Sequence, residues 1–207
     1  MNGASADGAP RARRIGLTGG IACGKSLFLR ALGREGFLTL DADDIVHEMI
    51  PVGERRRLAA EVFADPGARR RLEARIHPAV RERIARFFAG ADDPCAKGSG
   101  ALRIAAVPLL FEAGWRGDFD FVAAVVSSRE NQIARMTELR GWTRGEAEAR
   151  LAAQMPNARK AALADFVVEN DSTAAALEKA AAAFARRCGA GGNCRDDRSN
   201  TGKEEKT

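Results

Sequence analysis

The chain of 207 residues carries 33 Lys and Arg against 28 Asp and Glu, a net charge of +5, with 45% apolar residues. That length suits one α/β domain with a small insertion and a real core, and it leaves no room for a second full domain. The charge is modest, no basic run is interleaved with aromatics, no apolar run reaches about eighteen residues, and the polar, basic start is no secretory signal. The expectation is a cytoplasmic protein with neither nucleic-acid nor membrane partners. Cys23, Cys95, Cys188 and Cys194 have no metal-ligand spacing, and a reduced compartment argues against a disulfide framework.

Residues 1–13 and 189–207, rich in Gly, Ala and mixed charge, predict a disordered leader and tail around a single domain over 14–188. The domain opens with a strand from Arg14 to Leu17 that runs into Gly19-x4-Gly24-Lys25-Ser26, and a helix from Lys25 to Arg34, closed by Gly36, follows at once. In such a strand–loop–helix unit, glycines let successive backbone N–H groups and the positive helix end point at phosphate oxygens. Lys25 would neutralise the outer phosphates, and the Ser26 hydroxyl would sit on Mg2+. Cys23 has two readings: a small residue that fits the loop, or a thiol whose pKa Lys25 and the helix N-terminus lower.

Phe37 to Leu40 reads as the next strand, parallel to the first, ending at Asp41-Ala42-Asp43-Asp44. A carboxylate there faces phosphates bound at the carboxyl edge of the sheet, and on an extended end Asp41 and Asp43 point the same way. Asp43 can be the base and metal-water ligand, with Asp41 orienting substrate or metal. Equally, an Asp here can cap the helix that begins near Asp44. Ile45, Val46, Met49 and Ile50 give that helix its period up to Pro51. A second helix is expected over Glu54–Phe63. A third starts at Pro66 with Leu72, Ile76, Val80, Ile84 and Phe87 inward, kinked or restarted at His77-Pro78. The many arginines between Arg69 and Arg86 read as a solvated face.

After an Ala91–Gly100 loop, the apolar runs Leu102–Val107 and Phe119–Val126 predict central strands covered on both faces. Ile133, Met136 and Leu139 mark a helix from Arg129 that stops at Arg140-Gly141. Thr143 and Glu146 form a capping box for the next, carrying Ala147, Leu151 and Met155. Arg135, Arg140, Arg144 and Arg150 on these helices could clamp phosphates from above. Asp165–Asn170 is a last strand and turn, and Ser172 caps a final helix with Leu177, Ala181 and Phe184 inward.

Gly16-Leu17-Thr18-Gly19-Gly20-Ile21 with Gly24-Lys25-Ser26, then Asp41-Ala42-Asp43 with His47-Glu48, His77-Pro78, Pro108-Leu109-Leu110-Phe111-Glu112, Gln154 and Asn170 form an ordered series from Ile15 to about Phe184. That series resembles the dephospho-CoA kinase family. The resemblance implies an α/β fold: a parallel-sheet P-loop kinase core with helices on both faces (14–44, 101–128 and 164–188), a helical lid (129–163) and helical substrate-binding residues (45–90). It implies ATP and Mg2+, and phosphoryl transfer to the ribose 3′-hydroxyl of dephospho-CoA, giving CoA and ADP. By the same resemblance Gly20, Ile21, Ala22, Cys23, Gly24, Lys25, Ser26 and Leu27 hold the ATP phosphates and Asn170 lies near the adenine. Lys25, Asp43 and Arg140 are catalytic, Ser26 and Asp43 hold the metal, and Thr18, Asp41, Asp43, His77, Leu110 and Glu112 line the acceptor side.

The sequence departs from the family pattern at Ala22, where a glycine is usual, and an alanine is strained there if the loop needs a positive φ. Many members carry an Asp where this chain has Ala106, but others are apolar there, so that difference carries no weight. Between Glu48 and Leu58 the family generally has several more helical turns, so the substrate-binding insertion is expected to be shortened. A kinase for a different hydroxyl and a non-catalytic nucleotide-binding module are the alternatives. Against the latter, Lys25, Ser26, Asp43 and Arg140 are all present.

Overall fold

The computed structural model describes residues 14–54, 57–58, 61, 65–91 and 102–189. The leader, almost all of the tail, most of the Ala91–Gly100 loop, Cys95, Cys194 and much of the helix expected over Glu54–Phe63 lie outside the described residues.

Strands β1 (Arg14–Gly19), β2 (Leu38–Asp41), β3 (Arg103–Ala106), β4 (Phe121–Val126) and β5 (Phe166–Glu169) pair in parallel in the order β2-β3-β1-β4-β5. Around them run α1 (Lys25–Arg34), α2 (Ala42–Met49), α3 (Pro66–Ala89), α4 (Arg129–Arg140), α5 (Arg144–Ala152), α6 (Asn157–Leu163) and α7 (Ala174–Gly189).

Alternate residues of each strand face opposite layers. Ile15, Leu17, Ile104, Ala106, Ala123 and Val125 bury against α1 and α7 through Phe28, Leu32, Leu177 and Ala181. Ala105 and Val122 bury on the other side against Ala42 and Ile45 of α2 and Ile76, Val80, Ile84 and Phe88 of α3. Phe184 gathers the first layer, its ring centroid 5.1 to 6.3 Å from those of Phe28, Phe37, Phe121 and Phe166. Burying such a side chain contributes about 2–3 kcal/mol, so the edge strand β5 is held by the last helix as well as by its ladder. Because all five strands are parallel, their carboxyl ends share one edge, where ligands of open α/β sheets bind.

Several local expectations shift. Helix α2 begins at Ala42, earlier than the sequence implied, because the Asp41 side chain accepts from Asp43 N at 3.1 Å and is its N-cap. Asp41 therefore ends the strand while Asp43 lies in the first helical turn, and the two do not share an extended face. Pro78 does not break α3, which is continuous from Pro66 to Ala89. Pro78 and Ala74 are both exposed, so the backbone bond that proline removes falls on the solvent side, while the opposite side packs. That packed side uses Phe88, with Phe87 only partly covered. Leu139 is 80% exposed, since Trp142 and Leu151 complete the small cluster around Ile133, Met136 and Ala147 in its place. Thr173 caps α7, its hydroxyl accepting from Ala176 N at 3.3 Å, where Ser172 was expected. The capping box at Thr143 and Glu146 is present as expected.

Candidate active site

The loop between β1 and α1 closes with a bond from Cys23 N to Gly20 O at 3.2 Å, and Gly24, at φ 91, is the N-cap of α1. Gly24 lies against the Asn170 amide, leaving no space for a Cβ. Ala22 has φ 59, the sole non-glycine residue with positive φ among the described residues. For an L-residue that conformation costs about 1–2 kcal/mol, so the strain anticipated at this departure is present.

Beside the loop opens a cleft of about 780 Å³. Gly20, Ile21, Ala22, Gly24, Lys25, Ser26 and Leu27 form its floor, with Asp43, Arg140 and Asn170 also facing it. Cys23 does not: its thiol is fully buried, bonded to Asn157, and burial pushes the thiol pKa up, against the weaker pull of Asn157, Gly20, Ser127 and Arg135. The reading in which Lys25 and the helix end activate this thiol is therefore corrected; Cys23 reaches the site through its backbone, its carbonyl accepting from Asn170 Nδ2 at 2.9 Å.

Lys25 is 8% exposed and its ammonium lies 3.0 Å from Asp41 Oδ2. Asp41 is thus tied to the loop lysine and to α2 at once and does not itself line the cleft. Asp43, in the first turn of α2, faces the cleft. Loss of solvent pushes its carboxyl up; Lys25 and His47 oppose this, and Asp41 and Asp44 add to it.

The remaining acceptor-side candidates do not line this cleft. Thr18 is buried, its hydroxyl donating to Pro108 O at 3.1 Å. Leu110 is fully buried in the α3 layer. Glu112 pairs with the fully buried Lys160, Nζ to Oε1 at 2.7 Å, and accepts from Met155 N. The His77 ring packs edge-on against Trp115 at 5.0 Å. Thr18 and the Glu112–Lys160 pair hold the cleft's second wall from behind through Pro108 O, since Pro108 and Leu109 are the residues that line it. Strand parity explains Thr18, which points into the α3 layer while Leu17 points into the other.

Arg135, Gln154, Arg30 and Ser172 line the cleft as well. Arg135 stood among the candidate phosphate clamps, and it also donates to Asn170 O at 2.7 Å. Gln154 appeared only within the family pattern. Asn157 and Lys160, which brace this region, escaped the sequence reading because α6 is short and has no apolar stripe, and Gln132 escaped it because a lone polar residue on α4 follows no apolar period. Ser26 and Asp43 bring hard oxygen donors to the same cleft, and the described residues hold no cluster of three His, Cys, Asp or Glu. That donor set fits Mg2+, which takes one or two protein oxygens and draws the rest from phosphates and water.

A parallel sheet whose first strand feeds a Gly-x4-Gly-Lys-Ser loop, with a lysine at the root of the cleft and arginines above it, defines a P-loop kinase. The family within that class follows from similarity. The dephospho-CoA kinase family model matches residues 52–176. The dephospho-CoA kinase of Anaeromyxobacter dehalogenans is 41% identical over 191 positions, covering 80% of this chain and 87% of that one; that of Geobacter metallireducens is 39% identical, covering 80% and 91%. A Thermus thermophilus protein of known crystal structure superposes with a TM-score of 0.68 at 32% identity, over 84% of this chain and 96% of that one. The chain belongs to the dephospho-CoA kinase family.

Proposed function

We propose that the protein transfers the γ-phosphoryl group of ATP to the ribose 3′-hydroxyl of dephospho-CoA, giving CoA and ADP. The observation that carries this reading is the convergence of Lys25, Ser26, Asp43 and Arg140 on one cleft. The loop N–H groups and the α1 N-terminus cradle the phosphates, and Lys25 exchanges Asp41 for the outer phosphate oxygens as the nucleotide enters. Asn170, Ser172 and Arg30 mark the end of the cleft that takes the nucleoside. Asp43 accepts the proton of the attacking hydroxyl, and the loss of solvent that raises its pKa makes it a stronger base than an ordinary aspartate. The hydroxyl oxygen bonds to the γ-phosphorus as the bond to the β-phosphate oxygen breaks, and Arg140 and Lys25 stabilise the charge on the group in flight. Ser26 and Asp43 would hold Mg2+, which when bound would neutralise phosphate charge.

Helices over 129–163 act as the lid that brings Arg140 down, and residues 45–90 form the acceptor lobe. Helix α2 ends at Met49, and helix resumes at Val52, two residues before the expected Glu54, after only Ile50 and Pro51. That short passage favours a second reading, the same core acting on a different hydroxyl. A coupled assay of ADP formation with dephospho-CoA, adenosine, AMP and pantetheine as separate acceptors discriminates the two. Turnover on dephospho-CoA alone supports the first reading; turnover on another acceptor in its absence supports the second.

A further inference from the structure

The strained part of the phosphate loop is held from outside. Ile21 N donates to Gln154 Oε1 at 2.9 Å, and Ile21 O accepts from Gln132 Nε2 at 2.6 Å. The next carbonyl, that of Ala22, accepts from Arg135 Nη1 at 3.2 Å. Ile21 and Ala22 also pack on the cluster of Ile133, Met136 and Ala147 formed between α4 and α5. Gln132 is 4% exposed, and its own carbonyl accepts from Asn157 Nδ2 at 2.9 Å, which fixes the amide the right way round to donate to Ile21. Three of the four backbone polar groups of Ile21 and Ala22, around φ 59 at Ala22, are thus gripped by both arms of the segment that carries Arg140: Gln132 and Arg135 on the outgoing helix, Gln154 on the return.

A backbone in a sparsely populated conformation persists only where its surroundings over-determine it. Glycine at this position would adopt either sign of φ freely. Alanine does not, and once released it relaxes to negative φ, which reorients the peptide on either side of it. We infer that Gln132 and Gln154 are positioning residues which force Ala22 into its left-handed conformation and so hold the loop N–H groups in phosphate-binding order. The same bonds make the loop's shape depend on where the two arms stand, so nucleotide affinity and arm position are coupled. This rests on the loop's binding of nucleotide phosphate, but not on the identity of the acceptor.

The test is a cycle of Gln154→Met and Ala22→Gly, read by calorimetric affinity for ADP and for adenosine and by kcat and KM for ATP. Losing a part-buried acceptor bond of this kind is expected to weaken ADP binding about tenfold. KM for ATP rises in step, and affinity for adenosine, which has no phosphate, is unchanged. In the Ala22→Gly background the same substitution should cost less than about threefold, because the released loop carries no strain. Gln132→Met carries the same expectation and serves where Gln154→Met fails to fold. An equal loss of ADP affinity in both backgrounds, no loss in either, or equal losses for ADP and adenosine overturns the inference. Because ADP binding needs no acceptor, the result is independent of whether dephospho-CoA is the substrate.

Discussion

Replacing Lys160 by methionine separates a structural role for Glu112 from the acceptor-binding role that its motif implies. Lys160 has no exposed side-chain surface and its ammonium donates to Glu112 and to Pro108 O. Removing one partner of a buried ion pair costs about 3–5 kcal/mol, because the other charge is left uncompensated. Here the loss is smaller: Glu112 keeps 20% of its side-chain surface in solvent and its bond from Met155 N, and Pro108 O keeps the Thr18 hydroxyl. A cost of about 2–3 kcal/mol is therefore expected, which for a domain of this size lowers the melting midpoint by roughly 4–12 °C. Lys160→Met combined with Glu112→Leu should recover most of that loss, since neither charge is then buried alone. Glu112→Gln should lower the midpoint while leaving KM for dephospho-CoA within about twofold, for a group that does not touch the acceptor. Thermal melts by circular dichroism and steady-state kinetics on the same preparations decide the matter. A midpoint unchanged by Lys160→Met, with a large rise in KM for dephospho-CoA on Glu112→Gln, refutes the reasoning.

Asp43→Asn is expected to lower kcat by about a hundredfold or more, yet to raise the melting midpoint at neutral pH. The folded-state pKa of Asp43 is raised, so its ionisation opposes folding once pH exceeds the ordinary aspartate value; wild type and variant should melt alike at about pH 3. Asp171 is the opposite case: Ser127 and Asn131 side chains and the Ser128 N–H bond its carboxylate and hold its pKa far below the usual range. The stability it contributes is present above the ordinary aspartate pKa and is lost as pH falls toward the depressed value, so Asp171→Asn should flatten the acid side of a plot of melting midpoint against pH. An unchanged acid slope contradicts this. Iodoacetamide at neutral pH should leave Cys23 unmodified in the native protein, by peptide mass spectrometry, because the thiol is buried with its pKa raised; stoichiometric labelling of folded protein contradicts it.

Features that depend on neighbours in sequence were legible. The phosphate loop, the alternation of strands and helices, the Thr143–Glu146 capping box and the inward faces of α4 and α7 at Ile133, Met136, Leu177, Ala181 and Phe184 rest on spacings of two to four residues, which the chain displays directly. The departure at Ala22 was legible too, since glycine is the residue for which positive φ is free. Side-chain partners distant in sequence were not. Asp41 could be placed at a strand end, but nothing local distinguishes a carboxylate aimed at substrate from one that pairs with Lys25 and caps α2. Leu110 and Glu112 lie in the family pattern; that one is core and the other a counter-ion for Lys160 depends on a helix without an apolar stripe. The grip of Gln132 and Gln154 on Ile21 spans more than a hundred residues and follows no period.

The central claim, that this cleft moves the ATP γ-phosphoryl group to one particular hydroxyl, is tested most directly by locating the phosphate on the product. After incubation of the purified protein with ATP, Mg2+ and dephospho-CoA, fragmentation mass spectrometry of the thiol product should place the new phosphate on the ribose 3′-oxygen, in one-to-one ratio with ADP. A phosphate at another position, or ADP formed at the same rate without dephospho-CoA, contradicts the account.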